Sequence, residues 1–342
     1  MSGREALLAG DWDAALAEAT AAVERDPSDA EALDVLGEAL WTLGDREAGI
    51  GRRREAYGAY RRQGDRRRAA WLAVYLAGES RIDGRVAEGN GWLGRARRLL
   101  EGLDDAPEHG WIAIEEAKRA ASAEETVGFA DRALAIARET GDVDVEICAL
   151  AQLGLARTAL GDAEGGMALL DEAMAAALGG EPTEWLCVGD ACCTTLVACE
   201  RLSDLPRAAD WCRVVVDFAE RRRYVPIQSW CRSIYAGVLT RTGDWGAAEA
   251  ALIEALGSSA QRWRGGDRAL PLARLAELRL RQGRLEEAEE LLADCEDHPA
   301  ALEAAVELRL RRGEVDVAEA LVERRVRVLG DAGGAEAAAA PE

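Results

Sequence analysis

Residues 10–46 read GDWDAALAEATAAVERDPSDAEALDVLGEALWTLGDR, and this stretch decides the fold. A Gly-Asp pair stands near each end, 34 residues apart. Glycine suits the position just after a helix, where φ is usually positive and a Cβ would clash. Aspartate suits the start of the next helix, because its carboxylate accepts an orphan backbone N–H and favours the positive end of the dipole. Between the pairs, Ala15, Ala19 and Ala22 keep one helix face small, and Asp26-Pro27 closes that helix. Leu33, Leu36, Gly37 and Leu40 follow on the next one. Small residues let two helices approach closely, and Leu at i, i+3 and i+7 fills the seam between them. A hairpin turn returning at a fixed interval marks a helical repeat.

Working outward, the same punctuation returns at Gly64-Asp65, Gly161-Asp162 and Gly243-Asp244, with Gly283-Arg284 and Gly313-Glu314 as variants. From 161 the turn position recurs at 202, 243, 283 and 313, so the later units are 41, 41, 40 and 30 residues long. At 202 Leu replaces Gly, Ser203-Asp204 forms the cap, and Pro206 falls in the first helical turn, where its missing N–H matters little. The middle has less regular turns, with helices expected over 65–79, 87–102, 108–121 and 123–139. Ser122 and Glu125 form a capping box that opens the last of these. Eight or nine hairpins are expected, in one helical-repeat domain over 1–330, followed by a disordered Ala-rich tail over 331–342. Replacing Gly10 or Gly44 with Ala is expected to cost about 1 kcal/mol if each holds φ > 0.

The Gly-Asp turns, the alanine pattern and the 34-residue spacing resemble the tetratricopeptide repeat family, which implies an all-α superhelical solenoid of hairpins. A second resemblance is to the helical region of large LuxR-type bacterial transcription regulators. It is carried by residues 89–100 (GNGWLGRARRLL), 107–111 (PEHGW), 198–201 with 208–213 (ACER, AADWCR), and 230–239 (WCRSIYAGVL). It implies a sensing and interaction region that, in that family, precedes a DNA-reading helix-turn-helix. No recognition helix with a basic face follows residue 330, which argues against direct DNA reading by that route.

Composition narrows the function classes. The net charge of −21 disfavours non-specific nucleic-acid binding by the whole chain. Residues 51–100 nevertheless hold thirteen Arg against five acidic residues, a local +8, which leaves −29 for the other residues. Arg61, Arg62, Arg66, Arg67 and Arg68 form a candidate basic docking patch within that segment. The alternative to a binding scaffold is a transcription regulator that binds DNA directly through 51–100 or through a missing helix-turn-helix. Lys118 is the sole lysine. No apolar run approaches the ~18 residues that span a membrane. The first residues show no secretory pattern, so a cytoplasmic location is expected.

Chemistry has little to stand on. There is no phosphate loop, no zinc-protease pair and no nucleophile elbow. His109 and His298 both sit just before helices, in turn-like positions. Cys187, Cys192, Cys193 and Cys199 share one expected helix, but Cys-x-x-Cys is absent, so core packing is the reading over redox sensing or metal binding. No catalytic residue, cofactor or metal is expected. Counting back from each turn, the first helices present Asp34, Glu38 and Trp41, then Cys192, Cys199 and Glu200, then Trp230, Ser233 and Arg241, as candidate concave-groove residues. Trp12, Trp211 and Trp245 fall on second helices and are expected to pack. Such a groove suits a protein or peptide partner, or a small effector ligand.

Overall fold

The computed structural model describes residues 2–259, 268–295 and 301–324. His298 and the tail 331–342 lie outside them. All regular structure among the described residues is helical. The helices are α1 (Gly3–Leu8), α2 (Trp12–Arg25), α3 (Ala30–Thr42), α4 (Arg46–Gln63), α5 (Arg66–Ile82), α6 (Val86–Leu100), α7 (Glu108–Ala117), α8 (Ala123–Thr140), α9 (Val143–Ala159), α10 (Ala163–Gly179), α11 (Trp185–Leu202), α12 (Leu205–Arg222), α13 (Val225–Thr242), α14 (Trp245–Ser259), α15 (Ala269–Arg281), α16 (Leu285–Ala293) and α17 (Leu302–Arg311). Residues 315–324 are also helical and are called α18.

Two compact units divide the chain, Met1–Gln228 and Ser229–Glu342. In the first, consecutive helices pair as hairpins: α1 with α2, α3 with α4, α5 with α6, α7 with α8, α9 with α10, and α11 with α12. In the second, Ala236 of α13 packs with Ala248 and Leu252 of α14 and with Leu275 and Leu278 of α15. A further core joins Leu272 and Ala276 of α15, Ala288 and Leu292 of α16, and Ala304 and Leu308 of α17. This is a tetratricopeptide-like solenoid.

The caps work as the turn chemistry requires. Gly44 sits at φ +97°, and the Asp45 carboxylate accepts from the Ala48 N–H at 3.3 Å. Gly44→Ala is therefore expected to destabilise by about 1 kcal/mol, read as a lowered urea midpoint; an unchanged midpoint would refute the cap. Leu202 is not the residue that turns the chain there. Ser203 takes the left-handed conformation at φ +55°, and Asp204 caps α12. Arg223 does the same at φ +52°, a turn with no glycine to announce it.

Inside the hairpins two glycine pairs, Gly37 with Gly49 and Gly154 with Gly166, set how close the helices come. A Cβ on Gly166 would lie 2.6 Å from the Gly154 carbonyl oxygen and 2.8 Å from the Thr158 nitrogen. Backbone cannot give way as a side-chain tip can, so Gly166→Ala is expected to cost about 1–3 kcal/mol. A Cβ on Gly91 would meet nothing within 4 Å. Gly91→Ala should instead stabilise by up to about 1 kcal/mol through helix propensity. Denaturation of the two variants in parallel checks both signs.

Candidate functional site

The polar faces of the first helices converge inside the unit Met1–Gln228. Asp34 and Glu38, one turn apart on α3, are 1% and 3% exposed. Arg53 of α4 donates from Nη2 to Glu38 Oε2 at 2.7 Å, and its Nε lies 3.4 Å from Asp34 Oδ1. Arg68, at the start of α5, donates to Asp34 Oδ2 from Nη2 at 2.6 Å and from Nε at 2.9 Å. Its Nη1 reaches Glu184 Oε1 at 2.8 Å. Glu184 is the residue before α11, and Arg4 of α1 joins it at 3.3 Å. Three guanidiniums and three carboxylates from α1, α3, α4, α5 and the entry to α11 thus form one connected network. The Arg53 guanidinium lies 4.3 Å from the Tyr75 ring centre and 5.0 Å from that of Trp71, while Arg68 lies 4.3 Å from Trp71. Ring faces favour cations there and fix the direction of the guanidinium forks.

The two carboxylates of α3 respond differently to this setting. Burial works against ionisation of Asp34, but Arg68, Arg53 and Arg4 outweigh it and hold its carboxyl below the usual range. Burial pushes Glu38 up to about 7; Arg53 opposes the rise and Glu184 adds to it. The folded chain then binds more protons at Glu38 than the unfolded chain between about 4.5 and about 7. The stability contributed by Glu38 is fully present below the lower value and is lost as pH rises through the upper one. The stability of wild type relative to Glu38→Gln should therefore fall by roughly 2–3 kcal/mol between pH ~5 and ~8. Urea unfolding of both proteins at the two pH values tests this, and a difference that does not move with pH would refute it.

A clasp closes this unit on itself. The first hairpin seats on α11 and α12 through Trp12 and Trp185, whose ring centres are 4.8 Å apart and edge to face. Tyr224 stands 6.3 Å from Trp12, 6.3 Å from Trp41 and 6.0 Å from Trp185. Trp12 Nε1 donates to the Arg222 carbonyl, Trp185 Nε1 donates to the Leu7 carbonyl at 3.0 Å, and Arg222 donates back to the Ala9 carbonyl at 3.0 Å. Arg223 pairs with Asp13. The charged network lies just inside these rings.

A second polar cluster continues the inner face on α7, α9 and α11. Lys118 pairs with Asp190 at 2.6 Å, and Gln152 donates to Asp190 at 3.3 Å and to Thr194 Oγ1 at 3.4 Å. Asp144 accepts from the Thr183 N–H at 2.9 Å and the Glu184 N–H at 3.2 Å, which positions Glu184 for the network.

Of the groove residues predicted from the sequence, the structure brings Asp34 and Glu38 into the charged network and places Trp41, half-buried, beside the clasp. Cys192 and Cys199 are fully buried on α11, and burial pushes both thiols up, Cys199 to about 12. Thiols held protonated are poor nucleophiles and poor ligands. Glu200 is half-buried at the end of α11. Trp230 and Arg241 are half-buried and Ser233 is buried on α13. In the basic patch, Arg67 pairs with Glu108, and Arg68 belongs to the network. Arg66 donates to the Leu99 and Glu101 carbonyls at 2.8 and 2.6 Å. Arg61 and Arg62 stay exposed. Of the tryptophans expected to pack, Trp12 is buried, Trp211 is half-buried with Nε1 on Asp171, and Trp245 is 40% exposed. His109 bonds through Nε2 with the Leu103 carbonyl at 3.0 Å, a turn-bracing role. It borders an open cleft of about 430 Å³ whose Arg97 and Arg132 both pair with Glu116.

Arg4, Arg53, Glu184 and Tyr224 were not singled out by spacing. Arg53 sits within an arginine run, and the partners of Arg4 and Glu184 lie far away in the chain; no local signal marks them. Among the described residues, no group of three or more His, Cys, Asp or Glu could hold a metal ion. No described helix is long and apolar enough to cross a membrane.

No family model matches the chain, and neither does any curated protein. Solved structures do. A Rap protein complexed with competence and sporulation factor aligns over 97% of this chain and 96% of its own, with a TM-score of 0.63 and 14% identity. A signal-transduction ATPase with a tetratricopeptide repeat sensor, from Pyrococcus horikoshii, aligns over 87% of this chain and 45% of its own, with a TM-score of 0.45 and 16% identity. At such identities the first likeness shows the fold, and the second carries no argument. The chain has the fold of a tetratricopeptide-like helical-repeat protein.

Proposed function

We propose that this chain is a non-enzymatic binding scaffold. It takes a protein or peptide partner on the first-helix face of residues 1–228, and the array 1–330 works as one sensing domain in a LuxR-type transcription-regulation system. The observation that carries the reading is the buried network of Arg4, Asp34, Glu38, Arg53, Arg68 and Glu184. Pairs drawn from non-neighbouring helices can be exchanged, one for one, with the charged groups of a ligand, and a ligand that takes Glu184 from Arg4 loosens the clasp. Binding and a change in dimensions are then the same event. Trp230, Ser233 and Arg241 would give a separate contact on α13. The Rap-type structure was solved with a bound factor, which supports a ligand role for this fold, and the strings at 89–100 and 230–239 support the regulatory setting.

Peptides selected from a random display library on immobilised protein test the reading. Binding by the selected peptides should fall at least about tenfold, or 1.4 kcal/mol, on Arg68→Ala and on Glu184→Gln. Small-angle scattering should show altered dimensions on binding. Peptides that hold both variants as tightly as wild type would overturn the assignment of the face.

A further inference from the structure

The structure regroups the arginines of the Arg-rich segment. Arg52, Arg53, Arg54, Arg81, Arg85 and Arg97, like Arg67 and Arg68, reach carboxylates within the fold. Arg61, Arg62, Arg66, Arg95 and Arg98 make no ion pair, and all five are exposed. They lie at the end of α4, at the start of α5 and on the second half of α6. Tyr57 of α4 and Trp92 of α6 meet edge to face at 5.0 Å. Arg61 lies 5.7 Å from the Tyr57 ring centre and Arg95 lies 5.6 Å from that of Trp92. Arg66, bonded to the carbonyls at the end of α6, adds a charge with no carboxylate beside it. Stacked guanidiniums are partly ordered before any ligand arrives, so less freedom is lost on pairing.

This surface is also bare. A Cβ on Gly51 would meet nothing within 4 Å, and one on Gly58 or Gly94 would meet only the tip of a flexible arginine, at 3.3 and 3.9 Å. Glycine inside a helix is destabilising by about 1 kcal/mol against alanine. No neighbour in the fold requires the missing Cβ at these positions, but a helix laid over them could come close.

One helix of the same chain has the complementary character. Asp316, Glu319 and Glu323 of α18 recur at i, i+3 and i+7, which puts them on one face. All three are exposed and none makes an ion pair. Beside them Val315, Val317 and Val322 are 57%, 46% and 45% exposed. We infer that the Arg61/Arg62/Arg66/Arg95/Arg98 surface of one copy is the docking site for α18 of a second copy. The carboxylates pair with the unpaired guanidiniums, and the valines lie against the glycine-lined strip and the aromatic edges. The contact joins two different surfaces, so it is heterologous and each dimer still presents one free half of each kind. A long polyanion such as duplex DNA fits less well. Its length carries it past this surface and onto a chain whose other residues carry −29.

Sedimentation velocity across a concentration series tests this. In about 50 mM salt the wild type should associate, and in about 500 mM salt it should run as a monomer. Arg61→Ser with Arg95→Ser should abolish association, and so should Asp316→Ser with Glu319→Ser. All four positions are exposed, and circular dichroism checks that both variants fold. Mixed one to one, the two variants should form a dimer and nothing larger, because only one intact pair of surfaces remains. The inference is overturned if the wild type stays monomeric in low salt, if the arginine variant associates like wild type, or if the mixture stays monomeric. Tight binding of a short DNA duplex that is lost with the arginine variant, without self-association, would overturn it in favour of nucleic acid.

Discussion

Arg53→Ala is expected to destabilise the unit Met1–Gln228 by about 3–5 kcal/mol, the cost of removing one partner from a buried ion pair. Arg53 is 3% exposed and bonds Glu38 at 2.7 Å while facing Asp34 at 3.4 Å. Without it, Glu38 keeps its burial and its repulsion from Glu184 but loses the strongest opposing charge. Protonation of Glu38 can relieve part of this, so the loss should be larger at pH ~8 than at pH ~6. Arg53→Met combined with Glu38→Met should recover much of the stability, since apolar replacement of a whole buried pair is often neutral or better. The pair of variants separates a broken ion pair from a simple packing defect. Urea midpoints followed by far-ultraviolet dichroism provide the measurement, and an Arg53→Ala midpoint equal to wild type would remove the network from the account of stability.

Trp12→Ala should cost about as much, roughly 3–5 kcal/mol, by a different route. The ring is 2% exposed, packs edge to face on Trp185 at 4.8 Å, and satisfies the Arg222 carbonyl through its Nε1. Its loss leaves a cavity and an unpaired carbonyl at the same seam. The damage should be local: hydrogen exchange should rise in α1, α2 and the end of α12, with α5 to α8 little changed. Trp12→Phe keeps most of the ring and loses only the donor, so about 1–2 kcal/mol is expected. If exchange instead rises uniformly, the clasp is not a separable contact.

The fold was legible because its determinants are local. Gly44 and Asp45 are adjacent, and one turn needs no information from elsewhere in the chain. The turn at Ser203 was legible from its Ser-Asp cap without a glycine, and the turn that escaped reading was the one made by Arg223, where a side chain tolerates the conformation that glycine usually takes. The site was legible only in part. Asp34 and Glu38 were placed on an inner face by counting along a helix, but periodicity cannot distinguish a face open to a ligand from one filled by the protein's own arginines. The basic patch illustrates the same limit. Arg66, Arg67 and Arg68 are consecutive, yet one caps a helix end, one pairs with Glu108 and one is drawn into the network. Helical geometry points successive residues about 100° apart, so a run in sequence is rarely a patch in space.

What the sequence determined by itself are the hairpins and the pairings between adjacent repeats. Asp34 with Arg68, Arg54 with Glu88 and Arg81 with Glu115 are each 34 residues apart, the interval of the repeat itself. A short-period array brings such residues together whatever its overall curvature. Curvature is a different quantity, summed from a small rotation at every hairpin interface. Only the tertiary structure decided that the sum brings Glu184 to Arg68, 116 residues away, and Trp12 to Arg222, 210 residues away. That closure places Asp34 and Glu38 of a first helix in a buried network of charges held behind an aromatic clasp.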